Sequence, residues 1–146
     1  MIVQTLMATA GTVAFALLFG VPRRYFPFCG IIGGAGWLLY GVLSRYVGLT
    51  PTEATFFATV LVILLSRACA VLERCPVTVF LISGIFPLVP GAGIYWTSYY
   101  LVTGQMGLAM SSGFAAVKAA IAIVLGIVFV FEIPNGLFRV LAGKRT

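Results

Sequence analysis

Phe86–Ile94 reads FPLVPGAGI, two prolines and two glycines inside an apolar segment long enough to cross a membrane. Proline has no N–H to donate, so Pro87 and Pro90 leave the carbonyls of Ser83 and Phe86 without helical partners, and Gly91 and Gly93 let the backbone turn. The sequence therefore predicts a helix broken in mid-span. Irregular backbone at that depth survives only where protein buries it or a wet cavity lines it, so the break is the candidate solute site. An ordinary proline kink, its freed carbonyls satisfied by neighbours, is the alternative.

The rest of the chain fits that setting. With 62% hydrophobic residues, 8% charged residues and a mean hydropathy of +1.15, the 146 residues are too apolar for a water-soluble domain. A span needs about 20 apolar residues, which leaves room for about five crossings and little else. The fold class expected is all-α, a polytopic integral membrane protein in one transmembrane domain. Spans are predicted at about 2–20, 27–43, 51–73, 76–86 plus 92–103, and 110–131, with a short tail over 132–146. The first span has no basic stretch ahead of it, so it reads as a retained span rather than a signal peptide.

Span 2 carries Gly30 and Gly34 at small-xxx-small spacing, the pattern that lets helices approach closely. Ala115, Ala119, Ala122 and Gly126 stack as a second smooth stripe on the last span. Thr50, Pro51 and Glu53 form a capping-box pattern that starts span 3. Tyr95, Trp96, Tyr99 and Tyr100 sit near the end of the broken span, where amphipathic rings favour an interface.

Charge sets the expected orientation. Arg23, Arg24, Arg67, Arg74, Arg139, Lys144 and Arg145 fall at one end of the predicted spans and only Arg45 at the other. Cytoplasmic loops carry the excess of Lys and Arg, so the N-terminus is expected outside and the C-terminus in the cytoplasm. The basic residues form no cluster interleaved with aromatics, so nucleic acid is not an expected partner. Arg67 is close enough to the end of its span to snorkel to the headgroups. Lys118 lies well inside the last span, where a cation is costly and marks a functional candidate unless it too snorkels.

Enzymatic chemistry finds little footing. There is no histidine, the three glutamates stand at span ends, and Cys29, Cys69 and Cys75 make no CxxC pair. No metal, cofactor or catalytic residue is expected. A solute site asks for less. The first N–H groups of a helix starting near Gly91 carry the positive end of its dipole and favour a carboxylate, with Ser83, Thr97 and Ser98 as hydroxyl donors and Lys118 as a cation.

The run Cys75–Gly104, CPVTVFLISGIFPLVPGAGIYWTSYYLVTG, resembles the threonine/serine exporter (ThrE) family over its C-terminal membrane half. The PLVPGAG core is the specific part, and Pro87, Pro90, Gly91 and Gly93 match it. In that family this half also occurs as a separate small subunit of YjjB-like type, paired with a larger YjjP-like subunit. The resemblance implies export of small carboxylate metabolites, threonine and serine or succinate, across the bacterial inner membrane by a hetero-oligomer of which this chain is one part. A noncatalytic membrane subunit, docking a larger one through the small-residue stripes of spans 2 and 5, is the rival reading.

Overall fold

The computed structural model describes residues 1–133 and is entirely helical among them: α1 (Ile2–Leu18), α2 (Phe26–Val42), α3 (Pro51–Glu73), α4 (Thr78–Ile85), α5 (Gly91–Val102) and α6 (Met106–Phe131). By length and composition three stretches are long and apolar enough to cross a membrane, Arg23–Val47, Pro51–Glu73 and Met106–Phe131. Thr78–Leu88 and Gly91–Val102 together make a fourth, bent by 48° at the break. α1 is a shorter apolar helix of 17 residues. Most of the expected tail, including Arg139, Lys144 and Arg145, lies outside the described residues.

Local chemistry explains the boundaries. Thr50 Oγ1 accepts the Glu53 N–H at 3.4 Å while Glu53 Oε2 accepts the Thr50 N–H at 2.8 Å, so the capping box starts α3 with two of its orphan donors satisfied. α2 runs into a π-helical turn, Leu43–Val47, closed by Gly48 at φ 75°. That left-handed conformation is open to glycine at little steric cost. α6 starts at Met106 rather than near residue 110, which puts Lys118 close to the middle of the helix.

Packing divides the molecule in two. α1 lies on α2, α2 on α3, and α4 wedges against α2 and α3. The α1–α2 seam is an interlock of hydroxyl residues with glycines. Thr9 and Thr12 turn their hydroxyls onto their own helix, to the Thr5 and Ala8 carbonyls at 2.9 and 2.8 Å. Their side chains then occupy the space that Cβ atoms on Gly34 and Gly33 would need. Val62 of α3 fills the same space over Gly36, and Ile32 would meet a Cβ on Gly84 at 2.8 Å. Around this seam Cys29, Ile32, Ala58, Val62 and Phe80 are buried, Phe80 edge-on to Tyr25.

The other part is a hairpin. α5 packs on α6, α6 packs on α3, and α5 has no fully buried residue. Gly126 makes the α3–α6 approach possible, since a Cβ there would come within 2.9 Å of Thr59 Cγ2. Arg67 fastens the far end of the seam. Its side chain is 6% exposed, not extended to the headgroups, and it donates to the Val130 carbonyl and, at 2.9 Å, to the Ile133 carbonyl. A cation is at home on the carbonyls that end a helix, which carry its negative pole, and burial strengthens the attraction.

Candidate functional site

At the break the two carbonyls that the prolines would free find new donors, while two amides of the next helix are left without a backbone acceptor. The Ser83 carbonyl, denied Pro87, takes the Phe86 N–H instead, and the Phe86 carbonyl takes the Val89 N–H at 3.1 Å in a tight turn over Phe86–Leu88. The freed carbonyls expected from the prolines are thus closed by one tightened turn. Val89 is then extended, and Pro90 caps α5 without any side-chain hydrogen bond. The Gly91 N–H bonds the Val89 carbonyl at 2.7 Å, and the Pro90 carbonyl accepts from Ile94. The N–H groups of Ala92 and Gly93 have no backbone acceptor among the described residues. These two donors are the positive end of α5.

A cavity of about 350 Å³ adjoins the break, with Ala92 but not Gly93 on its wall. Pro87 to Ala92 form one wall, Pro51 and Thr55 of α3 another, and Trp37 and Tyr40 of α2 a third, with Ala119 of α6 closing the floor. That volume is near the lower limit of small-molecule pockets, roughly 300–1,000 Å³. Thr55 keeps its hydroxyl on the Pro51 carbonyl at 2.7 Å. The other lining residues with polar side-chain groups are Tyr40 and Trp37, beside the backbone of the break. No charged side chain lines it.

The sequence-predicted residues separate into those at the cavity and those elsewhere. Pro87, Pro90 and Gly91 line it. Gly93 faces α6, where a Cβ would sit 3.0 Å from the Ala116 Cβ. Ser83 is fully buried and its hydroxyl stays within α4, 3.4 Å from the Val79 and Phe80 carbonyls. Thr97 bonds the Gly93 carbonyl at 2.7 Å and packs on Gly113, and Ser98 bonds the Ile94 carbonyl at 3.1 Å on the exposed side of α5. Lys118 points out of the bundle. It lines a separate apolar groove with Glu53, Phe56, Phe57 and Leu125, its Nζ 5.0 Å from the Phe114 ring centroid.

The small-residue stripes are placed as plainly. Gly30 and Gly34 face Thr9 and Val13 of α1. Ala122 and Gly126 are buried on the α3 side of α6, Ala119 is at the cavity, and Ala115 is exposed. The residues that reading the sequence missed are Trp37 and Tyr40, one helical turn apart near the end of a glycine-rich span. Two large rings at that spacing among glycines was the available signal, because rings there must fill space that the glycines leave.

Residues 4–133 match the family model described as Threonine/Serine exporter, ThrE. No solved structure matches the chain.

Proposed function

The chain belongs to the threonine/serine exporter family, and from that premise we propose that it is the small subunit of an exporter of carboxylate metabolites, threonine and serine or succinate. The observation that carries the reading is the conjunction at the break: at the positive end of α5, Ala92, whose amide has no backbone acceptor, stands on the wall of a cavity shared with three other helices. A carboxylate there receives donors that need no reorganisation, which is how discontinuous helices hold anionic groups in membrane transporters. The solute meets backbone and aromatic groups rather than Lys118 or Ser83.

The assembly sits in the bacterial inner membrane, with the N-terminus outside and the C-terminus in the cytoplasm, as the charge bias favours. It works with a larger YjjP-like subunit. Two features support such a partner: Lys118, a cation near the middle of α6, is exposed on the outer face of the hairpin, and α5 packs on α6 yet buries no residue fully. Lipid is a poor neighbour for a lysine at that depth. The partner's seat is therefore the α5–α6 face, while the Gly30 and Gly34 stripe is already taken by α1.

The test is efflux of labelled serine, threonine and succinate from loaded cells, with and without the larger subunit. Replacing Pro90 and Gly91 together by alanine is expected to abolish efflux at unchanged membrane level of the protein. Unimpaired efflux from that variant would remove the break as the solute site and leave the chain a docking subunit.

A further inference from the structure

Three cavities share one side chain. Trp37 lines the break cavity, a second cavity against Met7 and Phe15 of α1, and a third of about 220 Å³ formed by Gln4, Trp37, Tyr40, Gly41, Ser44 and Arg45. Tyr40 lines the first and the third, and its ring lies 5.4 Å from that of Trp37. The two rings are thus a partition between the break and the third cavity. The third differs in chemistry, with an amide, a hydroxyl and a guanidinium on its wall.

The backbone builds this polar chamber by departing from α-geometry. Ser44 and Arg45 sit on the π-helical turn Leu43–Val47. Such turns re-aim side chains and recur at functional sites. Arg45 reaches back across the chamber to α1, where its Nη2 donates to Gln4 Oε1 at 3.3 Å. A cation that merely anchors a helix end extends into the headgroups, whereas this one, though exposed, lies back against a neighbouring helix. The single long bond to Gln4 leaves most of its five donors for another acceptor. Arg45 is also the exception to the charge bias, the lone basic loop residue at its end of the spans.

We propose that the Gln4–Ser44–Arg45 chamber is a second carboxylate site, the position a solute takes between the break and the outside, reached past Trp37 and Tyr40. The proposal rests on the export reading and on the orientation given with it. A planar guanidinium pairs with a carboxylate through two parallel hydrogen bonds, and Gln4 then turns its amide N–H to the same ligand. Succession of an uncharged amide site and a guanidinium site draws the anion outward, and exposure of Arg45 to water lets it leave.

The experiment reads Trp37 fluorescence in the complex with the larger subunit, reconstituted in lipid, in a Trp96→Phe background that leaves Trp37 as the single tryptophan of this chain. Serine, threonine or succinate is titrated in, alongside amino alcohols that lack the carboxylate. The expected result is saturable quenching by the carboxylates alone, weakened about tenfold or more by Arg45→Gln, as fits a lost charged hydrogen bond, and partly restored by Arg45→Lys. Titrations unchanged in Arg45→Gln, equal quenching by the amino alcohols, or no response to any carboxylate would each overturn the chamber. Efflux of the Pro90→Ala/Gly91→Ala variant, measured on the same complex, separates the two readings. If that variant loses efflux while Arg45→Gln titrates normally, the break stands and the chamber falls. If it keeps efflux, the break reading falls, and quenching dependent on Arg45 still supports the chamber.

Discussion

The α1–α4 bundle and the α5–α6 hairpin are both built of apolar helices, yet they are buried to different degrees. In the bundle, glycines accept side chains from neighbouring helices, so backbones come close and their environment is closed: Gly33 receives Thr12, Gly34 receives Thr9, Gly36 receives Val62. In the hairpin Gly93, Gly113 and Gly126 also meet neighbouring side chains, but Gly91 and Gly107 have nothing within 4 Å of where a Cβ would stand, and α5 buries no residue fully. Without a hydrophobic drive between helices in lipid, stability must come from close packing and hydrogen bonds. The bundle has both. The hairpin has chiefly one seam on α3, fastened by Gly126 and Arg67, and it begins at the break. The closely packed bundle and the less buried hairpin therefore meet at the break cavity.

The sharpest way to break the contrast is overpacking. Gly33→Leu should unfold or mis-insert the bundle, and even Gly33→Ala should cost about 1–3 kcal/mol as Thr12 is forced aside; thermal unfolding in detergent and membrane yield measure both. If Gly33→Ala is neutral, the interlock is not what holds α1. Removing the clasp comes next. Arg67→Leu strips the Val130 and Ile133 carbonyls of their donor, an expected loss of about 1.5–3 kcal/mol. Hydrogen exchange should rise at the end of α6 and leave α1 and α2 unchanged; a uniform rise would mean the two regions are one cooperative unit.

A smaller effect tests the seam itself. Gly126→Ala should destabilise by about 1 kcal/mol, and Thr59→Ala in the same chain should recover most of it, the coupling expected of residues in contact. Additive losses would place the clash elsewhere. Smallest of all, Gly107→Ala in open space should be neutral or stabilise by up to about 1 kcal/mol, because alanine favours helix. A clear loss there would reveal a surface that closely covers this end of α6.

Much of this was legible in the chain. Three long apolar helices and the bent pair follow from length and hydropathy, whereas α1, expected as a span, is a shorter apolar helix; the capping box follows from Thr50 and Glu53, and the break from the chemistry of proline and glycine. What the sequence leaves open depends on which face meets which. Gly30 and Gly34 announce a close approach without naming α1 as the neighbour. Arg67 finds its carbonyls on Val130 and Ile133, far along the chain, whereas from its position alone the headgroups were the nearer partner. α6 is apolar all round, so no amphipathic period tells that Lys118 faces outward. At the candidate site, Pro87, Pro90 and Gly91 were readable as cavity lining because they make the break that opens it. Trp37 and Tyr40 were not, because their role comes from the helix that lies across from them.

The most direct test is the accessibility of Ala92, which lines the break cavity. A single cysteine at this position, in a chain with Cys29, Cys69 and Cys75 replaced by serine, would be labelled with a small water-soluble thiol reagent in the assembled transporter, with and without the exported solute. The account expects labelling that serine, threonine or succinate slows in proportion to its efflux and that the amino alcohols leave unchanged. Labelling indifferent to every solute, in a complex that still exports, would contradict it and move the solute path away from the break.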